Sequence, residues 1–375
     1  MPERTKHIVF VNHTRELHGS EQVMLATMRL CKSQGWRLTI VLPSNKPEGG
    51  LEAVITDTAE ILYLNYKNSG GGWLRTLAVE IYNLPARIRL CRWLRNNKAD
   101  VIYSNTSVTM LGVKAARWTQ TPHIWHWHEL PTEEFGWSEK SVRLLSYWAI
   151  YSTRLLFIAK TQKELWEKQL GGVQFSNARI VYNPVREIRA VNAVHEGSVR
   201  IGYVGSFMDR KNLPWLVQTA AELAKEYKLH LCLYGAQNQQ EAAEMQALWP
   251  DNEQFSVHAF TEDIASVYSG LDIFVLPSWS ETMPLVVLEA MQAGVCVIQT
   301  CCSGMKEIMR DGEECLFVDP HTKESLRNAL IRCMDASYRE RIAARGRCFA
   351  EEWVKQNEYK RNILSVFNGI ISKNV

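Results

Sequence analysis

The sequence predicts an α/β protein built from two parallel-sheet, Rossmann-like domains. Three observations lead there. Short apolar runs alternate with longer amphipathic stretches along nearly the whole chain, the pattern of βαβ units with right-handed crossovers. A chain of 375 residues is long for one core and natural for two. The pattern also loses its period between Arg186 and Ser198 and restarts at Val199. The expected layout is a first domain over 1–185, a linker over 186–198 and a second domain over 199–354.

Composition narrows the function classes. Hydrophobic residues make up 46% and charged residues 22%, as in soluble globular proteins. A net charge of +3 gives no reason to expect a nucleic acid partner. The nine cysteines contain no Cys-x-x-Cys and no Cys/His zinc spacing, which suggests reduced thiols in the cytoplasm. The vicinal Cys301–Cys302 reads as strand-end filler in preference to a redox pair. Ile8–Val11 is too short for a signal-peptide core. No run reaches the roughly 18 apolar residues of a membrane span, and the longest candidate, near Leu144–Ala159, is broken by Arg154.

In the first domain, residues 7–12 read as a strand, and the loop His13–Gly19 leads into a helix from Ser20. Ser20 is a candidate N-cap, and Glu21 suits the positive helix end. Leu38–Leu42 is the second strand, Lys46–Gly50 a turn, and Asn68–Gly72 a glycine-rich loop. Trp73–Asn97 carries Arg75, Arg87, Arg89, Arg92 and Arg95 against a single acid, Glu80. Pro85 must kink this stretch or split it into two helices. Two readings stand for it: a basic, Trp-bearing surface on an anionic membrane, or a solvated basic face. Strands follow at Asp100–Ser104, His123–His126, Leu155–Ala159 and Arg179–Tyr182, with a helix over Ser107–Trp118. His128, at the carboxyl end of its strand, points to the crevice where such sheets bind ligands. The competing reading is a satisfied structural histidine.

The second domain opens with the strand Val199–Val204 and the loop Gly205–Asn212. Gly205 permits close backbone approach, Lys211 offers a mobile point charge, and Asn212 and Pro214 suit a helix start. Strands at Leu229–Tyr234 and Phe255–His258 follow. Residues 271–299 form the most informative stretch. Ile273–Leu276 reads as a buried strand, Pro284–Ala293 as a helix capped by Gly294, and Val295–Ile298 as the next strand. The helix N-terminus leaves the carboxyl end of the sheet, where it suits a phosphate. Glu281 and Glu289 frame it as acceptors for sugar hydroxyls; the bland alternative is a βαβ unit with ordinary surface glutamates. Strand Cys315–Val318 and helices from Thr322 and Tyr338 precede a last helix, Lys355–Ile371. Tyr359, Ile363, Leu364, Phe367 and Ile370 give that helix an apolar stripe.

Pro277, Ser278, Glu281, Glu289, Ala290, Met291 and Gly294 together resemble the signature of the family 4 retaining glycosyltransferases, which have the GT-B fold. Thr282 and Met283 depart from the Gly-aromatic pair common after the first Glu. The resemblance implies two Rossmann-like domains facing each other across a cleft, with the C-terminal helix 355–375 returning to the first. It implies catalytic roles for His128 and Glu281. The implied donor site holds Gly205, Lys211, Arg210, Met283, Pro284, Leu285 and Glu289, with Glu289 on the ribose. Lys211–Asn212 matches the diphosphate loop, but Ser206 replaces the family's Arg, so Arg210 is left to supply that charge. Gly19 and Glu21 fall on the acceptor side; a plain βα turn is the alternative. Ser303–Glu307 resembles the family's Gly-Gly-x-x-Glu loop.

The expected function is therefore transfer of a hexose from a UDP- or GDP-linked sugar, with retention, in surface-polysaccharide synthesis. The acceptor would be a glycan or a polyprenyl-linked glycan, and residues 73–98 would touch the inner face of the membrane. No cofactor or metal is expected, since no Asp-x-Asp occurs. The rival functions are a nucleotide-sugar epimerase on the same fold and a non-catalytic nucleotide-sugar binding protein. A dehydrogenase is disfavoured because no Gly-x-Gly-x-x-Gly follows a strand.

Overall fold

The computed structural model describes residues 4–130, 136–188, 197–250, 253–301, 304–356 and 358–372. Pro131, most of the 186–198 linker, Cys302 and Ser303 lie outside the described residues. The chain divides into two compact units, Met1–Pro184 with Glu358–Val375, and Val185–Asn357.

The first unit runs β1 (His7–Val11), α1 (Gly19–Ser33), β2 (Arg37–Pro43), α2 (Gly50–Ile55), β3 (Glu60–Leu64), α3 (Trp73–Tyr82), α4 (Leu84–Asn96), β4 (Val101–Asn105), α5 (Leu111–Thr119), β5 (His123–Trp127), α6 (Glu139–Ala149), β6 (Arg154–Phe157), α7 (Lys160–Gln169) and β7 (Ala178–Ile180). The strands pair in parallel in the order β3-β2-β1-β4-β5-β6-β7. The order reverses between β1 and β4, which opens a crevice at their carboxyl ends. Side-chain alternation on β5 sorts its two faces. Trp125 and Trp127 enter a core with Phe157, Trp166 and Phe175, while His126 turns to Tyr103 on the other face.

The second unit contains β8 (Val199–Val204), α8 (Leu213–Leu223), β9 (Leu229–Ala236), α9 (Gln239–Gln246), β10 (Phe255–Ala259), α10 (Ile264–Ser269), β11 (Ile273–Leu276), α11 (Leu285–Gln292), β12 (Cys296–Thr300), β13 (Leu316–Val318), α12 (Lys323–Met334) and α13 (Ala336–Lys355). Its parallel sheet is ordered β10-β9-β8-β11-β12-β13, with the reversal between β8 and β11. The last helix, α14 (Tyr359–Ile371), belongs to the first unit. Its buried stripe of Tyr359, Ile363, Phe367 and Ile370 reaches α1 and β4. Phe367 stacks on Tyr103 with ring centroids 6.0 Å apart, and the Tyr359 hydroxyl meets Thr27 Oγ1.

Several local expectations are corrected. The last helix starts at Tyr359, because Lys355 ends α13. Ser20 is not the cap of α1: His18 holds that position, and Ser20 Oγ donates to Glu21 Oε2 at 3.0 Å. Asn212 stands before α8 with left-handed φ of 54°, and its side chain makes no capping bond. Pro284 is the N-cap of α11, so Leu285 is the first helical residue. Gly294 does close α11: Val295 N donates to Ala290 O and Gly294 N to Met291 O, the paired bonds of a Schellman end. Pro85 splits its stretch into α3 and α4, and Asn83 between them clamps the Lys67 backbone through both amide atoms. Helix α5 begins at Leu111 in place of Ser107, because Glu129 holds the Ser107 amide in a loop.

Candidate active site

Each unit gathers polar side chains where its strand order reverses. In the second unit the loops after β8 and β11 meet. Trp279 N donates to Arg210 O at 2.9 Å and joins the two loops. Gly205, with φ of +149°, and Gly235, with φ of +138°, cross so closely that a Cβ on Gly235 would stand 2.0 Å from Gly205 O. Only glycine at 235 lets the ends of β8 and β9 meet this way.

Glu281 forms the centre of this site. Its Oε1 accepts from Lys211 Nζ at 2.5 Å and from Ser278 Oγ at 2.7 Å, and Arg210 Nη1 stands 3.5 Å away. Burial alone pushes a carboxyl pKa up. Here the Lys211 and Arg210 charges and the two hydrogen bonds outweigh it and hold Glu281 below the usual range. The surrounding donors are not all satisfied. Arg210 Nε and Nη1 and Asn212 Nδ2 are buried and make no hydrogen bond among the described residues. Buried donors that lack a hydrogen bond, next to a lysine, suit a ligand rich in acceptor oxygens. Met283 and Pro284 are buried beside Leu285, the first residue of α11. The N–H groups of that helix end add donors of the same kind.

Glu289 lies one turn along α11. Arg186 Nε donates to its Oε1 at 2.8 Å, and the Tyr268 hydroxyl is 3.4 Å from Oε2. Burial raises its pKa, and Arg186 opposes this only in part. The sequence did not single out Arg186 or Tyr268.

In the first unit, the residues after β1, at the end of β4 and after β5 form one network. Asn105 Nδ2 donates to Asn12 Oδ1 at 3.0 Å and to Glu21 Oε1 at 3.2 Å. Its Oδ1 therefore faces His128 Nε2, also at 3.0 Å, so Nε2 carries the proton. His128 Nδ1 is left as a buried acceptor with no hydrogen-bond partner among the described residues. Burial first, then the neighbouring His13, pulls the His128 pKa down to about 3, so the ring is neutral near pH 7. His13 is held at about 4, mainly by burial. Glu129 is a brace: it accepts from Ser107 N and Oγ at 2.5 and 2.6 Å and from His128 N at 2.8 Å. Burial raises the pKa of Glu129 and of Glu21. At Gly19 an added Cβ would meet nothing within 4 Å, so the fold itself does not require glycine there. Asn12, His13 and Asn105 were missed from the sequence. Their signal is polar residues directly after apolar strands at the reversal point.

Residues 17–188 match the model of Glycosyltransferase Family 4, and residues 198–336 match that of Glycosyl transferases group 1. The chain is a glycosyltransferase that carries a family 4 domain followed by a group 1 domain. This glycosyltransferase is 22% identical to an Escherichia coli UDP-Gal:alpha-D-GlcNAc-diphosphoundecaprenol alpha-1,3-galactosyltransferase, over 85% of each chain. It is 27% identical to the Escherichia coli O-antigen chain mannosyltransferase B, over 41% of this chain and 42% of that one. Among solved structures, Anabaena Alr3699/HepE in complex with UDP and glucose superposes with a TM-score of 0.78 at 16% identity, covering 96% of this chain and all (100%) of that one. Thermosynechococcus elongatus sucrose-phosphate synthase gives 0.80 at 16% identity, covering 98% and 100%. The fold is thus GT-B, with two Rossmann-like domains, and the glycosyltransferase is related to bacterial polysaccharide enzymes. No described helix is long and apolar enough to cross a membrane.

Proposed function

We propose that this glycosyltransferase moves a hexose from a nucleoside-diphosphate sugar to a glycan or lipid-linked glycan, with retention at the anomeric carbon. The observation that carries the donor assignment is the cluster at Glu281: Lys211, the unsatisfied donors of Arg210 and Asn212, and the start of α11. As the sugar–phosphate bond breaks, charge grows on the diphosphate, and preorganised donors stabilise it there. Lys211, Arg210 and the helix N–H groups take that role without a metal. Glu281 accepts hydrogen bonds from sugar hydroxyls and Glu289 from the ribose, and the neutral His128 of the first unit is assigned to the transfer step. Gly19 and Glu21 lie on the acceptor side. UDP is one nucleotide to test, since the relatives include a UDP-Gal enzyme and a UDP-bound structure; GDP is the other.

The enzyme acts in the cytoplasm, with residues 73–98 against the inner face of the membrane. That surface is smaller than the arginine count suggests. Arg87 pairs with Glu80 at 3.8 Å and lies over Trp118, and Arg95 donates to the Trp118 carbonyl. Arg75, Arg89, Arg92 and Arg95 are exposed.

Release of nucleoside diphosphate from a panel of UDP- and GDP-sugars, with and without acceptor, tests the reading. Acceptor-dependent release and an α-configured product from an α-linked donor are expected. Isomerisation of the donor sugar without acceptor would make the protein an epimerase, and binding without turnover a non-catalytic receptor.

A further inference from the structure

At the edge of the first sheet, beyond the His128 network, lies a cavity of about 650 Å³. Asn45 and Lys46 enter it from the loop after β2, Lys67 and Asn68 from the loop after β3, and Arg75 and Tyr82 from α3. Three of its lining residues are cations and none is a carboxylate. Neighbouring acids are engaged elsewhere, Glu52 by Arg15 and Glu80 by Lys114 and Arg87. The walls are held in place. Asn83 clamps the Lys67 backbone, Arg15 Nη1 donates to Lys46 O at 2.9 Å, and Lys67 Nζ rests 4.5 Å from the Tyr82 ring centroid. The cavity sits on the same carboxyl edge of the sheet as Asn12, Asn105 and His128, where parallel sheets take their ligands.

Helix α3 divides its surface sharply. Arg75, Ala78, Val79 and Tyr82 follow i, i+3, i+4, i+7 and face the cavity. One residue earlier, about 100° round the helix, Leu74, Leu77 and Ile81 form a parallel stripe. Leu74 is 66% and Ile81 74% exposed. A cationic cavity alone suits any polyanion, and an apolar stripe alone suits any oily surface. Side by side on one helix, they select a ligand that joins both chemistries.

We infer that this cavity seats the phosphate or diphosphate of an amphiphilic lipid, whose hydrocarbon chain lies along Leu74, Leu77 and Ile81. The phosphate draws Lys46, Lys67 and Arg75, with hydrogen bonds from Asn45, Asn68 and the Arg75 guanidinium fork. Identifying that lipid with the sugar acceptor rests on the proposed function; the binding site itself does not. An isoprenyl diphosphate and a glycerophospholipid of the bilayer share this chemistry.

The test titrates geranyl diphosphate and inorganic diphosphate into four proteins: wild type, Lys67→Gln/Arg75→Gln, Leu77→Ser/Ile81→Ser, and Lys211→Ala. The same proteins are sedimented with phosphatidylcholine vesicles with and without phosphatidylglycerol. All four cavity and stripe substitutions fall on exposed side chains, so the fold survives them. Geranyl diphosphate should bind wild type more tightly than inorganic diphosphate. Loss of two cations should weaken it by ~10-fold or more. Leu77→Ser/Ile81→Ser should reduce it to the inorganic level, and Lys211→Ala should leave the geranyl-specific gain intact. The same dependence seen only on phosphatidylglycerol vesicles assigns the site to a bilayer lipid instead of an isoprenyl one. Lipid and vesicle binding indifferent to Lys67→Gln/Arg75→Gln, or binding lost only in Lys211→Ala, overturns the inference. So does self-association through Leu77 and Ile81 with no lipid effect. Nucleoside diphosphate binding without any lipid response sinks this inference alone, and lipid binding without nucleoside diphosphate binding sinks the donor assignment alone.

Discussion

Lys211 and Glu281 are joined by a 2.5 Å hydrogen bond, so the cation assigned to the donor diphosphate and the carboxylate assigned to the sugar neutralise each other. Arg210 leans on the same oxygen at 3.5 Å. A diphosphate that recruits these cations must compete with Glu281. On the proposed assignment, the complete donor would resolve the competition by giving the carboxylate sugar hydroxyls to accept from.

Glu281→Gln should therefore separate nucleotide from sugar. It removes the competing charge and keeps the shape. Affinity for the bare nucleoside diphosphate should rise by up to ~10-fold, while the extra affinity contributed by the sugar is lost. Calorimetric titration of diphosphate and of its sugar checks both halves. Weaker binding of the bare diphosphate would mean that Glu281 helps to hold it.

Glu289→Gln addresses the nucleoside. Because Arg186 and Tyr268 hold the carboxylate at the side of α11, its loss should weaken UDP or GDP by ~10-fold and leave inorganic diphosphate unchanged. Equal weakening of both ligands would place Glu289 at the phosphates.

His128→Ala should cut turnover by ~10²-fold or more with donor affinity within a few-fold, the pattern of a group acting mainly in the transition state. Asn105→Ala should move turnover the same way by a smaller factor, because it removes the partner that fixes the His128 tautomer. With its pKa at about 3, His128 contributes no limb to the pH–rate profile near pH 6.5. A limb at that pH which disappears in His128→Ala contradicts the assignment.

Most of the strand and helix order was legible in the sequence because β-strand and helix punctuation is local. The unit Ile273–Ile298 shows its strand, proline and capping glycine in one short stretch. What the sequence hid depends on contacts far apart in the chain. Asn105 looks like the end of a strand until Asn12, Glu21 and His128 close around it. Edge strand β3 and the polar helix α9 were missed because neither has one clean apolar face. Arg87 looked like a surface charge, but it is largely covered, over Trp118 of α5 and beside Glu80. The pairing of Lys211 with Glu281 spans two loops and has no sequence signature.

Stability of the first unit should fall with acid in a way set by its buried histidines. His123 donates to or accepts from Ser104 and Ser152 and is held at about 3 by burial. Unfolded, it titrates near 6.5. Its contribution is thus complete above pH 6.5 and is lost progressively as pH falls toward 3, at ~1.4 kcal/mol per unit. Glu21 and Glu129, whose pKa values are raised, act in the opposite sense just above the usual carboxylate range. Denaturation of wild type and His123→Gln at pH 7, 6 and 5 isolates the histidine. The variant should show a shallower loss below pH 6.5; parallel curves contradict the buried neutral ring.

Turnover should be unaffected by EDTA and gain nothing from Mn²⁺ or Mg²⁺, because the proposed site meets the diphosphate charge with protein donors alone. Activity that collapses in EDTA and returns with either ion would falsify this.

The most direct test is titration of UDP and GDP into wild type and Lys211→Ala. The account predicts saturable binding of one nucleotide to wild type, weakened ~10- to 100-fold by the substitution, as loss of a charge-assisted phosphate contact implies. Equal affinity in the two proteins, or no binding of either nucleotide to wild type, contradicts the assignment of this cluster to the donor diphosphate.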